Sequence, residues 1–124
     1  MIGLDTNVVV RYLADDDSQQ SPRAARVIEE LTPSDPGFIA TVVWVETYWI
    51  LTRACRVPKT AVLERLAELL DADEVRAEDY AAVAQALAAA GRGADFADAL
   101  IGAAAQSHGC THTVTFDESA SKRL

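Results

Sequence analysis

The chain has 124 residues, half of them hydrophobic, and this length predicts a single domain over residues 1–124. Its 11 Lys and Arg residues face 19 Asp and Glu residues, which gives a formal net charge of −8. Because phosphate backbones are usually held by a broad basic surface, this balance excludes such a surface as the main binding device and leaves a local basic patch or metal ions.

The first half of the chain alternates short apolar runs, typical of buried strands, with apolar residues at helical spacing. Strands are predicted at residues 2–4 and 38–40, and helices at residues 8–13, 21–31 and 42–54. Ser21 and Pro22 supply a cap and a first helical residue for the second helix. Thr41 is predicted to cap the third. Residues 15–18 are interpreted as a solvated loop.

The second half continues the alternation. Helices are predicted at residues 58–70, 78–90 and 95–108, strands at 75–76 and 110–116, and the start of a last helix at 118–124. The strand at 110–116 rests on its threonine and valine content. Strands separated by helices indicate parallel β–α units, so the sequence predicts a three-layer α/β/α fold around a central parallel sheet.

Several acidic residues lie at positions where parallel α/β folds have their ligand sites, or inside apolar helices. Asp5 and Asp117 follow the first and the last predicted strand, and ligand sites of parallel sheets lie at those carboxyl ends. Glu46 and Asp98 interrupt otherwise apolar helices, where an unpaired carboxylate is costly to bury. Asp95 lies three residues before Asp98.

Converging carboxylates would bind a divalent cation. Two of them about 4 Å apart repel by about 4 kcal/mol at an effective dielectric constant near 20, and a divalent cation reverses that balance. Oxygen ligands without His or Cys indicate Mg²⁺, with Mn²⁺ as a substitute, rather than zinc. Such a site catalyses phosphoryl chemistry, because the metal activates water and stabilises charge on the phosphate.

Each acid also has a structural interpretation. Asp5 and Asp117 are placed to cap helices, and Glu46 fits an exposed helix face. Asp95 and Asp98 fit a capping arrangement at a helix start. Taken together, their positions favour the metal site.

The residues around these acids resemble PIN-domain ribonucleases, and most closely the VapC toxins of bacterial toxin–antitoxin pairs. Four ordered motifs that span essentially the whole chain carry the resemblance. They are Gly3-Leu4-Asp5-Thr6-Asn7, the isolated Glu46, Ala94-Asp95-Phe96-Ala97-Asp98-Ala99-Leu100-Ile101 and Thr113-Val114-Thr115-Phe116-Asp117. The resemblance implies a PIN-like fold and a metal-dependent endoribonuclease that leaves a 5′-phosphate and a 3′-hydroxyl.

By the same resemblance, three acids match the core positions of the family, and Asp117 matches a more variable fourth. The three are Asp5, Glu46 and Asp98, of which Asp5 and Asp98 are most directly tied to Mg²⁺. Asp95 is left open as a ligand, a water-mediated neighbour or a cap. The resemblance also implies an RNA substrate, a cognate antitoxin and a homodimer.

Some polar side chains are predicted to support the acids. Thr6 or Asn7 would orient Asp5, and Thr115 would hydrogen-bond the cluster. His108 and His112 are four residues apart, but Gly109 between them breaks the helix, so a zinc pair is disfavoured.

Aromatic and basic residues suggest two surfaces. Trp44 with Tyr48, and Val45 with Trp49, are four residues apart on one predicted helix. Core packing is expected for at least one pair, and the alternative is that both large aromatics form a groove for a second copy or an antitoxin. The candidates for a local basic patch that guides RNA are Arg11, Arg53, Arg56 and Lys59.

The ends of the chain and its cysteines indicate in which cellular compartment the protein is expected. Residues 1–5 contain no basic stretch before an apolar run, so no signal peptide is expected, and no apolar stretch approaches the ~18 residues of a membrane span. Cys55 and Cys110 are too few for a disulfide framework and are typical of a reducing compartment. The expectation is a cytoplasmic protein without a membrane partner. Relatives usually continue beyond residues 121–124 with a glycine and an apolar segment, so an absent or truncated C-terminal strand is expected.

Two other function classes stay open. An aspartyl-phosphate phosphatase or a receiver-like domain also uses an aspartate at a strand end with Mg²⁺. The phosphatase needs a second aspartate where Asn7 stands, and the receiver needs a lysine after a late strand. A non-enzymatic α/β binding module would use all the acids as caps.

Overall fold

The structure is a computed structural model, which describes residues 1–14 and 21–116, with the backbone alone at Ser21. Short strands and longer helices alternate along these residues. The strands are β1 (Ile2–Gly3), β2 (Gly37–Ile39) and β3 (Val75–Ala77). The helices are α1 (Thr6–Ala14), α2 (Ser21–Glu29), α3 (Thr41–Trp49), α4 (Lys59–Leu70), α5 (Tyr80–Gly91) and α6 (Phe96–Ser107). In this described part, no helix has the length and apolar character that a bilayer span requires.

The three strands form one parallel sheet in the order β1-β2-β3. Ile2 is in register with Gly37, and Gly37 is in register with Val75 on its other side. Parallel neighbours joined by helices are the β–α units that the sequence predicts. The α/β class and the parallel sheet are therefore confirmed. The loop predicted at residues 15–18 and the helix predicted at 118–124 lie outside the described residues.

The chain divides into two compact units, Met1–Glu78 and Asp79–Leu124. The first contains the sheet and α1 to α4, and its core includes the apolar stripe predicted on α4. The buried members of that stripe are Val62, Leu66, Leu69 and Leu70. In the second unit, α5 packs against α6. The buried residues of these two helices are largely alanines, which let helix backbones approach closely.

The start of α3 differs from the prediction. Thr41 is the first helical residue rather than the cap, and Ala40 occupies the cap position without a side-chain acceptor. The backbone N–H of Thr41 instead donates to Glu78 Oε1 at 2.9 Å. A helix start leaves four N–H groups without intrahelical partners, and here a carboxylate 37 residues away accepts from one of them.

The helix predicted after the second strand is not one continuous α-helix. It changes after Trp49 into a π-helical turn, Ile50–Ala54. The N–H of Cys55 donates to the carbonyl of Ile50, five residues back, at 2.9 Å. The Thr52 hydroxyl donates to the Tyr48 carbonyl at 2.7 Å. The widened turn therefore satisfies its backbone partly through a side chain.

The strand predicted over residues 110–116 is wrong. Residues 111–116 contain no strand, and Val114 and Phe116 are 78% and 102% exposed. Threonine and valine favour strands when neighbouring strands supply backbone hydrogen bonds and burial. In the described part of the chain, the sheet consists of β1, β2 and β3, and this segment is not a member.

Candidate metal centre

Asp5 links β1 to α1. Its Oδ1 atom accepts the backbone N–H of Val8 at 3.0 Å, and its carbonyl accepts the N–H of Val9 at 3.2 Å. This is an N-cap arrangement, and the helix dipole favours a negative charge at that position. The side chain is exposed, and its Oδ2 atom has no hydrogen-bond partner among the described residues. Asp5 therefore caps a helix and still offers one oxygen.

Glu46 lies in the second turn of α3 and is exposed. The Thr6 hydroxyl donates to its Oε1 atom at 2.8 Å. Because Thr6 is the next residue after Asp5, this bond brings the Glu46 carboxylate to the start of α1. The Oε2 atom of Glu46 has no hydrogen-bond partner within residues 1–14 and 21–116. Two carboxylates, each with an uncommitted oxygen, thus stand beside the carboxyl ends of β1 and β2.

The supporting role of Thr6 differs from the prediction. The sequence suggests that Thr6 or Asn7 orients Asp5, whereas the Thr6 hydroxyl bonds Glu46. Asp5 is oriented by the N–H of Val8 instead. A short polar residue after a strand signals a supporting side chain, but its partner lies 40 residues away and is set by the packing of α1 and α3.

In the second unit, Asp95 caps α6. Its Oδ2 atom accepts the N–H of Asp98 at 3.0 Å. Asp98 is half-buried in the first turn of α6, where the helix dipole favours a carboxylate. Of the three roles that the sequence leaves open for Asp95, the cap is the one with a hydrogen bond. Asp117 lies outside the described residues.

The donor atoms suit a hard cation. Carboxylate oxygens are the ligands that Mg²⁺ prefers, and Mg²⁺ usually keeps several waters while binding one or two carboxylates. Among the residues that the structure describes, no group of three or more His, Cys, Asp or Glu side chains is arranged to hold a metal ion. Asp5 and Glu46 are therefore a two-carboxylate pair, whose chemistry fits Mg²⁺ or Mn²⁺ with water as the remaining ligands.

Other candidate residues have local roles. His108 follows the last turn of α6, and its Nδ1 atom lies 2.9 Å from the carbonyl oxygen of Ala104. The Nδ1 atom of His112 lies 2.9 Å from the Thr111 hydroxyl. Each ring is thus engaged within its own short segment, as the helix break at Gly109 suggests.

The aromatic residues of α3 are divided between core and surface. Trp44 and Tyr48 are 1% and 8% exposed, which confirms core packing for that pair. Trp49 is 37% exposed, and the guanidinium carbon of Arg53 lies 3.5 Å from its ring centroid. The sequence analysis treats Trp49 and Arg53 separately, although their spacing of four residues is the signal that predicts neighbouring side chains on a helix.

A cavity between α1 and α2 also contains basic side chains. Arg11 was a sequence candidate for the basic patch, whereas Arg23 was not. The cavity has a volume of about 320 Å³ and is lined by Asn7, Val8, Arg11, Arg23, Ala24 and Val27. Arg11 lies on α1, Arg53 in the π-helical turn and Lys59 at the start of α4, so the four predicted cations do not share one helix.

Comparison with known proteins identifies the family. Among solved structures, VapC20 of Mycobacterium tuberculosis, described as a Sarcin-Ricin loop cleaving toxin, is similar with a TM-score of 0.51 and 23% identity, over 98% of this chain and 94% of that chain. At this identity the likeness concerns the fold. A sequence search found no match among curated proteins. The family model of the PIN domain matches residues 2–123, and the chain therefore belongs to the PIN domain family.

Proposed function

We propose that this chain is a metal-dependent endoribonuclease that hydrolyses RNA phosphodiester bonds. The observation that carries the proposal is the 2.8 Å hydrogen bond from Thr6 to Glu46. It holds the Glu46 carboxylate against the residue that follows Asp5, at the carboxyl end of β1, in a chain of the PIN domain family. Ligand sites of parallel α/β sheets lie at those ends.

The proposed ligands of Mg²⁺ or Mn²⁺ are Asp5, Glu46, Asp98 and Asp117. When bound, the metal supplies positive charge at the attacked phosphate and lowers the pKa of a coordinated water. Hydrogen bonds from neighbouring groups of the chain orient the carboxylates of Asp5 and Glu46. The Val8 N–H fixes one oxygen of Asp5, and the Thr6 hydroxyl fixes one oxygen of Glu46, so the other oxygen of each carboxylate is left for the cation.

Asp95 is proposed to act mainly through Asp98. Its bond to the Asp98 N–H sets the first turn of α6 and hence the position from which the Asp98 side chain projects. A direct or water-mediated contact of Asp95 with the metal is the further possibility that its exposed carboxylate allows. Replacing Asp95 by Asn keeps the cap, so a large loss of metal affinity in that variant would identify a ligand.

We extend the proposal to biology through the similar structure, which is described as a toxin. The chain is proposed to be the toxin of a toxin–antitoxin pair, acting on cytoplasmic RNA and neutralised by a cognate antitoxin. It is also proposed to form a homodimer. Sedimentation equilibrium tests the dimer, since the chain mass is 13.3 kDa and a dimer has twice that mass.

The test of the nuclease is cleavage of total RNA by purified protein with and without Mg²⁺. We expect cleavage in Mg²⁺, none in excess EDTA, and none with Asp5→Asn or Asp98→Asn. The matched control is Asp73→Asn, which removes an exposed carboxylate from the turn before β3. Full cleavage in EDTA, or equal activity of the Asp5→Asn and Asp73→Asn variants, would refute the proposal.

A binding module without catalytic activity is the second candidate, because Asp5 and Asp95 both act as helix caps. Calorimetric titration separates it from the nuclease. A module whose acids are only caps binds no Mg²⁺ or Mn²⁺, and its ligand affinity is unchanged by Asp98→Asn. Binding of Mn²⁺ that Asp5→Asn weakens would exclude the module.

A further inference from the structure

The surface of α3 that presents Glu46 continues along the helix to Trp49 and Arg53. The opposite side is buried and includes Trp44 and Leu51, which are 1% and 0% exposed. At about 100° per residue in α3, Glu46 and Trp49 fall within roughly 60° of each other around the helix axis, and Arg53 follows in the π-helical turn. With a rise of about 1.5 Å per residue, Trp49 lies about 5 Å beyond Glu46 along the axis of α3.

Trp49 and Arg53 form a stacked pair. The guanidinium carbon of Arg53 lies 3.5 Å from the centroid of the Trp49 ring, and both side chains are exposed. The π-helical turn begins directly after Trp49, and such turns occur frequently at functional sites. A planar guanidinium on an indole leaves its outer face available, and nucleobases stack on arginine planes as well as on aromatic rings.

Arg56 adds a second exposed cation after this turn. Its φ of 56° lies in the left-handed region, which residues other than Gly and Asn rarely adopt. The N–H of Val57 donates to the Leu51 carbonyl at 2.9 Å and closes the turn around it. An arginine thus occupies a position where glycine would be free of strain, three residues after Arg53 in the sequence.

We propose that Trp49 and Arg53 form a stacking site for one nucleobase of single-stranded RNA, next to the reacting phosphate near Asp5 and Glu46, and that Arg56 contacts a neighbouring phosphate. This inference rests on the proposed function, because Glu46 marks the position of the reacting phosphate. Two exposed arginines give this face a local positive charge although the chain has a net charge of −8, and a local positive charge attracts phosphate. Bases of a duplex are already stacked on each other, so the site selects unpaired nucleotides.

A second copy of the chain is the competing occupant of this face. Val42 is 61% exposed, and apolar residues are enriched in the centre of interfaces. The exposed stack of Arg53 on Trp49, however, is a flat, positively charged surface, which matches a nucleobase and its phosphate better than it matches an apolar contact with a second copy. RNA supplies both a π face and phosphates, so we assign the pair to RNA and make dimerisation an outcome of the test.

Tryptophan fluorescence tests the stacking directly. The chain has two tryptophans, of which Trp44 is buried and Trp49 is exposed, so a base that stacks on the pair quenches only Trp49. The full chain is titrated with single-stranded oligoadenylate in EDTA at low ionic strength, and a duplex of equal length is the control. We expect quenching by the single strand, little by the duplex, and none in Trp49→Phe.

Affinity for labelled oligoadenylate, measured by anisotropy, provides the second readout. We expect Trp49→Ala to weaken binding about 5- to 150-fold, the range of one lost base stack, and Trp49→Phe to stay within a few-fold of wild type. Arg53→Lys keeps the charge but loses the plane, so it should weaken binding nearly as much as Arg53→Gln. Wild-type affinity in Trp49→Ala or Arg53→Lys would overturn the proposal.

The remaining outcomes separate this inference from the nuclease proposal. If Trp49→Ala converts a dimer into a monomer at unchanged RNA affinity, the face binds a second copy and the stacking site is wrong. Quenching without Mg²⁺-dependent cleavage refutes the nuclease and leaves the stack. Cleavage that Asp5→Asn abolishes, together with no quenching, refutes the stack alone. Circular dichroism of each variant verifies that it is folded.

Discussion

At the scale of single residues, Asp5 combines two tasks in one carboxylate. Oδ1 caps α1 through the Val8 N–H at 3.0 Å, while Oδ2 is the oxygen proposed for the metal. Asparagine retains an oxygen acceptor for the cap but removes the charge, whereas alanine removes both. The two substitutions therefore separate the structural task from the catalytic one.

We expect Asp5→Asn and Asp5→Ala to be equally inactive but unequally stable. Loss of an N-cap side chain costs about 1 kcal/mol, so Asp5→Ala should lower the free energy of unfolding by that amount. Asp5→Asn should be neutral or slightly stabilising, because repulsion between Asp5 and Glu46 disappears. Urea unfolding followed by circular dichroism measures the difference. Equal stability of the two variants would mean that the Val8 bond contributes nothing.

Thr47 is a second residue at which a substitution of nearly equal shape, threonine to valine, tests the role of one polar group. Its side chain is 0% exposed, and its Oγ1 atom has no hydrogen-bond partner among the described residues. A buried polar group without a partner costs about 1–3 kcal/mol. We expect Thr47→Val to raise the free energy of unfolding by about 1 kcal/mol, whereas Thr60→Val on the exposed start of α4 should change it little. Destabilisation by Thr47→Val would indicate a buried water that the hydroxyl holds.

At the scale of elements, the packing beneath β2 depends on the absence of a side chain at Gly37. A Cβ atom there would lie 2.8 Å from Cδ1 of Leu31 and 2.8 Å from Cδ1 of Leu4. Both leucines are buried, at 7% and 5% exposed, so they have little room to move. Because Leu4 directly precedes Asp5, the packing of Leu4 against Gly37 of β2 also fixes the chain next to the candidate site.

We expect Gly37→Ala to destabilise the protein by about 1–3 kcal/mol, the usual cost of overpacking a core. Gly3→Ala in β1 is the matched control, because nothing lies within 4 Å of a Cβ atom at that position. Thermal unfolding of both variants measures the difference. A Gly37→Ala variant as stable as Gly3→Ala would show that the two leucines repack freely.

The elements also show which kinds of information a sequence carries. β2, β3, α2 and α4 follow from apolar spacing and turn residues, which are local signals. The cap of α3 does not, because Glu78 reaches Thr41 from 37 positions away. The π-helical turn after Trp49 is likewise not predictable from the sequence, because the same residue types form an α-helical or a π-helical turn. Local patterns predict elements, and contacts between distant elements decide their ends.

The sequence likewise predicts the residues of the candidate site but not the contacts between them. Asp5 stands at a strand end and Glu46 in an apolar helix, and these places identify both as candidates. The bond that joins them runs through Thr6, whose hydroxyl was expected on Asp5. The strand predicted over residues 110–116 failed because β propensity depends on pairing and burial rather than on composition alone.

At the scale of the whole molecule, the net charge limits how the proposed RNA substrate can be bound. A net charge of −8 repels the phosphate backbone at long range, so attraction depends on metal ions and on a few cations. Arg53 and Arg56 are exposed and close together in sequence, on and after the π-helical turn. Few phosphates can then be neutralised by side chains.

We expect the RNA affinity to depend only weakly on salt. Each phosphate contact to a single strand adds about −0.7 to the slope of log K against log salt, so Arg56 alone gives about −0.7, and a contribution from the charge of the stacked Arg53 brings the slope to no more than about −1.4. The slope is measured with a labelled oligonucleotide in EDTA, and the double substitution Arg53→Gln with Arg56→Gln should bring it near zero. A slope steeper than about −4 would require six or more phosphate contacts and would contradict a local patch.

Both native thiols are free, and they fall in different units: Cys55 follows the π-helical turn in Met1–Glu78, and Cys110 follows α6 in Asp79–Leu124. Cys55 is partly accessible and Cys110 is exposed. The wild-type sequence is thus ready for double labelling without any engineered cysteine. With a nitroxide on each sulfur, pulsed electron paramagnetic resonance would measure the distance between the two labels with and without added RNA.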